Sequence, residues 1–191
     1  MNNDFNKLMI SKYGHNIYCI PKDWVYTPKV RKSTGLVTGV GLNDVEFMVS
    51  KILPNGKKLV YKPYALWHGI LVRCYDKKFH NKNPKYIGVT VCDEWKLLSN
   101  FIPWCMENYK CGLSIDKDLL VKDNLIYTPD KCIFVPTNIN NFLSMSKNSS
   151  ELPYGVCKHG NGYQATIGSG VTSKSLYLGR FTTIMGAHRA W

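Results

Sequence analysis

Close cysteine pairs are missing from this sequence. Its seven cysteines, at positions 19, 74, 92, 105, 111, 132 and 157, are odd in number and form no C-x-x-C, which argues against a disulfide framework or a structural zinc knot. Cys74, His80 and Cys92 also lack the paired close spacing of a zinc site, so no zinc is expected. Long apolar runs are missing too: none approaches the ~20 residues of a membrane-spanning helix, and the opening MNNDFNKLMISKYG lacks the apolar stretch of a signal peptide. The expectation is a soluble, intracellular, cytoplasmic protein with no membrane partner.

Acidic residues are the third shortage. There are 13 Asp and Glu against 25 Lys and Arg, a formal net charge of +12, which favours a polyanionic partner because each cation set against a phosphate releases a condensed counterion. The excess is uneven. Residues 51–100 hold ten Lys and Arg against three Asp and Glu, whereas residues 101–150 hold five of each. Disorder is excluded by the 45% apolar fraction and by the 12 Tyr, 7 Phe and 5 Trp, which are enough to fill a sizeable core.

No internal repeat or low-complexity tract is present, so the chain is read segment by segment. Residues 1–62 read as a β-rich segment of short strands and turns, with GVG at 39–41 as a bend in a strand rather than a phosphate cradle. YALWHGILVRCY predicts an amphipathic helix with Tyr64, Trp67, Leu71 and Cys74 on one stripe and His68 and Arg73 off it. DKKFHNKNPK reads as a loop and YIGVTVCDEW as a short β-rich piece. Asp93 or Ser99 is expected to cap a helix from Asn100 to about Tyr109, with Pro103 in its first turn. LSIDKDLL then predicts a strand, CIFVP a second strand and TNINNFLSMS a helix, which together make a ββα unit. The polar stretch SKNSSELP, residues 146–153, reads as a linker between a domain at 63–146 and one at 153–191. Beyond it, three glycine-parted strands and a helical start predict a small sheet packed on a helix. The fold class expected is α+β.

Cutting a phosphodiester requires a hard cation held by side-chain oxygens and a base to activate water. Asp116 and Asp118, on either side of Lys117 at the end of the first strand of the ββα unit, offer such oxygens. They are equally readable as strand-end residues that cap a loop or pair with a lysine such as Lys122 or Lys131. Asn138, Asn140 and Asn141 of the following helix are candidate ligands or exposed polar positions.

In their order, IDKDLL, YTPDKCIFV and NINN, preceded by LWHGILVRCY, YIGVTVCDEW and FIPWC, resemble the HNH endonuclease core of phage-encoded homing-type proteins over about residues 64–145. The resemblance implies a ββα-metal fold, a divalent Mg²⁺ or Mn²⁺, and nicking of double-stranded DNA in a host-cell cytoplasm. It puts Asp116 on the metal-binding acid and Asn140 on the helical position that completes the metal site. Lys117 stands where the family has its catalytic histidine. Lysine is protonated at neutral pH and activates water poorly, so the resemblance implies weak or lost catalysis unless another histidine, His15, His68 or His80, supplies the base.

Downstream, YGV at 154–156, YQATI at 163–167, LYLGRF at 176–181, and Ala187 and Ala190 resemble the Apetala/ethylene-response-factor DNA-binding domain. That resemblance implies a three-stranded sheet with Val156, Ala165, Ile167, Leu178 and Phe181 against a helix. Cys157, His159, Asn161, Thr166 and Tyr177 would face DNA, with Lys158, Lys174 and Arg180 near phosphates. The chain lacks most of the arginines that plant members carry there, so phosphate contact and shape recognition are expected over bidentate guanine reading. Two functions stand: an HNH-like double-stranded DNA-binding protein with impaired nicking, or a non-enzymatic phage regulator or anti-defence protein that binds DNA or a host protein.

Overall fold

The computed structural model describes residues 2–13, 16, 18–22, 24–30, 35–145, 152–153, 155–168 and 175–191, and the chain divides into two compact units, Met1–Pro136 and Thr137–Trp191. Among the described residues the fold is mixed, with helices between five small sheets. No helix there is long and apolar enough to cross a membrane.

The first unit opens with a helix, α1 (Asn2–Tyr13), where strands and turns were expected. Phe5, Met9 and Tyr13 recur at helical spacing and turn one face to the core, where Met9 and Tyr13 are buried. Two antiparallel hairpins follow, β1 (Leu36–Val37) with β2 (Gly41–Leu42), and β3 (Ser50–Ile52) with β4 (Lys58–Val60). The GVG stretch bends the first hairpin. Thr38 and Gly39 take φ of 52° and 77°, and a Cβ on Gly41 would stand 2.7 Å from Trp67 Cζ2 and overlap the Leu71 side chain.

Those two residues belong to α2 (Lys62–Tyr75), which buries Trp67, Leu71 and Cys74 of the predicted stripe and Ile70 beside them, while Tyr64 is only half-buried. Trp67 Nε1 donates to the Trp95 carbonyl at 2.7 Å, so the largest side chain of the stripe also satisfies its polar atom. The polar stretch after α2 is not a loop. It forms α3 (Lys77–Lys82) and a 3₁₀ turn at Pro84–Tyr86, because Asp76 Oδ1 accepts the Phe79 N–H at 2.8 Å and caps the helix.

β5 (Thr90–Val91) precedes α4 (Leu98–Asn108), whose start differs from expectation in two ways. Neither Asp93 nor Ser99 caps it. Asp93 pairs with Lys96, and the cap comes from Asp44, whose Oδ1 accepts the Ser99 N–H at 2.9 Å. Pro103 lies in the second turn, not the first, and removes the intrahelical bond to the Ser99 carbonyl. Burial of Phe101, Ile102, Cys105 and Met106 offsets that loss.

Next come β6 (Leu113–Asp116), β7 (Ile126–Tyr127) and β8 (Ile133–Pro136). β7 runs parallel to β5, and β6 pairs antiparallel with β8, Asp116 lying opposite Ile133. One core joins residues from before and after position 62: Trp24, Tyr26, Phe47 and Tyr61 cluster edge to face and stacked, continuous with Trp67, Trp95 and Phe101.

The second unit begins with α5 (Thr137–Met145) and continues as β9 (Val156–His159), β10 (Gly162–Gly168), β11 (Ser175–Phe181) and α6 (Ile184–Ala190). The strands form one antiparallel sheet in the order β11-β10-β9. Ala187 of α6 packs on Val156 and Ala165, with Tyr163, Leu178 and Phe181 around them. Thr183 Oγ1 caps α6 by accepting the Gly186 N–H at 3.1 Å.

Candidate functional site

Asp116 ends β6, and its Oδ1 accepts two backbone N–H groups, from Asp118 at 2.9 Å and Leu119 at 2.6 Å. This is the local turn that aspartate forms wherever the chain reverses, and it fixes the carboxylate at the strand end. Lys117 is turned inward and only 8% exposed. Its Nζ donates to Asp118 Oδ1 at 2.7 Å and to the Asn124 carbonyl. Asn124 is buried too: its amide donates to the carbonyls of Lys117 at 2.9 Å and Ile126 at 2.8 Å, and its Oδ1 accepts the Ile126 N–H at 3.1 Å. Lys117 and Asn124 thus hold the loop between β6 and β7 from inside. Asp118 does pair with a lysine, but with Lys117 rather than Lys122 or Lys131.

This geometry limits what the pair of aspartates offers a cation. One oxygen of each is taken, by backbone N–H groups or by an ammonium, which leaves one on Asp116 and one on Asp118, whereas a hard cation asks for about six oxygens. Among the described residues no three of His, Cys, Asp and Glu gather as a metal group. Asp116 belongs to the first compact unit and Asn140 to the second.

Around the loop lie Arg73, Tyr86, Tyr127, Cys74 and Cys132. Burial raises the Tyr86 hydroxyl above the ordinary phenol range, and the charges of Arg73, Asp118 and Asp116 all act on it, so these groups share one neighbourhood. Burial likewise pushes the Cys74 and Cys132 thiols, both in the core, up to about 12. Arg73 Nε donates to the Tyr127 hydroxyl at 3.0 Å. His80 is half-buried, and because a carbonyl only accepts, the Nε2 that meets the Arg73 carbonyl at 2.9 Å is the protonated nitrogen. His68 is exposed beside the Tyr64 ring, and His15 lies outside the described residues.

In the second unit the sheet spends one face on α6, and cross-strand pairing identifies the residues of the other. Cys157, Gln164 and Arg180 form one row, and Thr166 pairs with Tyr177 beyond a bulge at Ala165 and Thr166. Thr166, Tyr177 and Arg180 are thus together on the face opposite α6. His159 pairs with Gly162 at the same end as a shallow cavity of about 290 Å³, lined by His159, Asn161, Tyr163, Arg180, Phe181 and Thr182. Lys158 pairs with Tyr163, a core residue, so it leaves the sheet on the helix side while remaining exposed. Lys174 lies outside the described residues. Gln164 was not singled out from the sequence, although strict alternation from buried Ala165 points to it. No family model, curated protein or solved structure matches this chain.

Proposed function

We propose that this protein binds double-stranded DNA, resembling phage HNH homing endonucleases in which metal-dependent nicking is impaired. The carrying observation is the sheet of the second unit, where Cys157, Gln164, Arg180, Thr166 and Tyr177 share a face that α6 does not cover. A three-stranded surface with hydrogen-bonding side chains on a chain of net charge +12 suits a DNA groove, with His159 and Asn161 near its edge, while the exposed Lys158 on the helix side and, by the family resemblance, Lys174 would meet phosphates. The basic residues of 51–100 supply further phosphate contacts.

Impaired catalysis is supported by Lys117. A side chain donating to Asp118 and to the Asn124 carbonyl inside its own loop is committed to holding that loop rather than to activating water. The uncommitted oxygen of Asp116 favours the rival reading, an endonuclease with Mg²⁺ or Mn²⁺ at Asp116 and Asn140 as the helical ligand that the family resemblance implies. A non-enzymatic regulator or anti-defence protein would use the same surfaces on DNA or on a host protein.

Supercoiled plasmid incubated with Mg²⁺ or Mn²⁺, beside an Asp116→Ala variant, separates these. The expected result is DNA retention without nicking. Nicking by the wild type that disappears in the variant overturns the impaired-nuclease reading. Duplex affinity should fall steeply between 50 and 200 mM salt, by roughly 10³-fold or more for six or more phosphate contacts; no affinity at low salt would leave a host protein as the partner.

A further inference from the structure

We infer that the Arg73 guanidinium is an anion receptor that takes a phosphodiester oxygen of bound DNA beside the Asp116 loop. The inference rests on the DNA-binding reading for the identity of the anion. Arg73 lies in the last turn of α2, half-buried, off the apolar stripe that fixes the helix in the core. A guanidinium in that position ordinarily has a carboxylate partner, because desolvating an unpaired charge is costly. Here, among the described residues, no carboxylate stands within ion-pair distance of it.

Its protein partner is a neutral one. The Tyr127 hydroxyl accepts from Nε at 3.0 Å, and the Tyr127 ring lies 5.5 Å from the guanidinium carbon. Tyr127 is buried, and its hydroxyl is raised above the ordinary phenol range chiefly by that burial, so it stays protonated and orients the fork without neutralising it. With Nε engaged, the two terminal nitrogens keep their hydrogens for another acceptor. Nη1 passes Gly69 one turn back, 3.7 Å from where a Cβ would stand.

Among the described residues the acids around it each engage one oxygen elsewhere, and Asp76, at the end of the same helix, caps α3 through Oδ1. Asp118 answers Lys117, and Asp116 answers two backbone N–H groups, yet both act on Tyr86 together with Arg73. The result is a planar, oriented cation with two donors to spare, in the neighbourhood of a strand end that resembles a nuclease metal site. A phosphate offers the acceptor pair that such a fork fits.

The test measures binding of the full chain to a 20-base-pair duplex across a salt series, for the wild type, Arg73→Gln, Arg73→Lys and Tyr127→Phe, each checked for folding by circular dichroism. Arg73→Gln should weaken low-salt binding about tenfold and lower the slope of log affinity against log salt by about 0.9, the loss of one phosphate contact. Arg73→Lys keeps the charge but not the fork, so it should keep the slope and lose about threefold in affinity. Tyr127→Phe should show a loss between these two. A wild type that binds the duplex while folded Arg73→Gln and Arg73→Lys match it in slope and affinity overturns the inference and leaves DNA binding standing.

A wild type that does not bind the duplex refutes DNA binding instead. Inorganic phosphate at constant ionic strength then decides the receptor itself: a rise in the wild-type unfolding temperature that Arg73→Gln loses and Arg73→Lys keeps in part supports it, and equal shifts in all three or none overturn it.

Discussion

At the scale of single residues, the buried pair Lys117 and Asn124 governs the loop after β6. Asn124→Ala removes three hydrogen bonds and leaves the Lys117 and Ile126 carbonyls without their amide donor, so it should cost about 2–3 kcal/mol in urea unfolding. Cysteine labelling checks the core from another side. Cys111 and Cys157 are exposed and should react with a thiol reagent at pH 8, whereas Cys19, Cys74, Cys105 and Cys132 should react only on unfolding. Lys117 stood out in the sequence because it takes the place where the resembled family has its catalytic histidine. The sequence did not indicate that the lysine points inward, since nothing local marks Asn124, seven residues on, as its partner. Arg73 was noted only as lying off a stripe; its significance comes from Tyr127, which is distant in sequence and adjacent in space.

At the scale of elements, periodicity was the readable signal. α2 and α4 were legible because their apolar residues recur at helical spacing, and the three strands of the second unit because glycines separate them. α1 carries the same spacing at Phe5, Met9 and Tyr13 but is diluted by polar neighbours. α3 was misread because its capping aspartate, Asp76, sits in a stretch rich in lysine and asparagine that suggests a loop. Pro103 shows the reverse case, a helix breaker tolerated by burial around it. The contact between the first hairpin and α2 is equally hidden in sequence, and Gly41→Ala tests it: the added methyl meets Trp67 and Leu71 and should destabilise the protein by about 1–3 kcal/mol, read as a lowered unfolding midpoint with an unchanged denaturant slope.

At the scale of the whole molecule, buried acids set the alkaline limit. Cys74 and Cys132 are held at about 12 in the folded state, and burial raises Tyr26, Tyr61, Tyr86 and Tyr127 as well. Unfolded thiols ionise near 8.5 and phenols near 10, so the stability these groups contribute is complete below about pH 8.5 and is lost as pH climbs towards 12. The unfolding temperature should therefore fall progressively above pH 8.5, and Cys74→Val with Cys132→Val should flatten the first part of that fall. The charge of the chain is legible from composition alone; the residues that share the face opposite α6 required the register of β9, β10 and β11, because a single bulge shifts which residues lie together.

The Asp44 cap on α4 also bears on the order of assembly. A helix whose first turn is closed by a carboxylate 55 residues earlier in the chain cannot finish its own start by local contacts; it waits for a long loop to close, an entropic cost that is met before the bond forms. Asp44→Ala should therefore speed unfolding while leaving the refolding rate nearly unchanged, the kinetic signature of a contact made on the native side of the barrier.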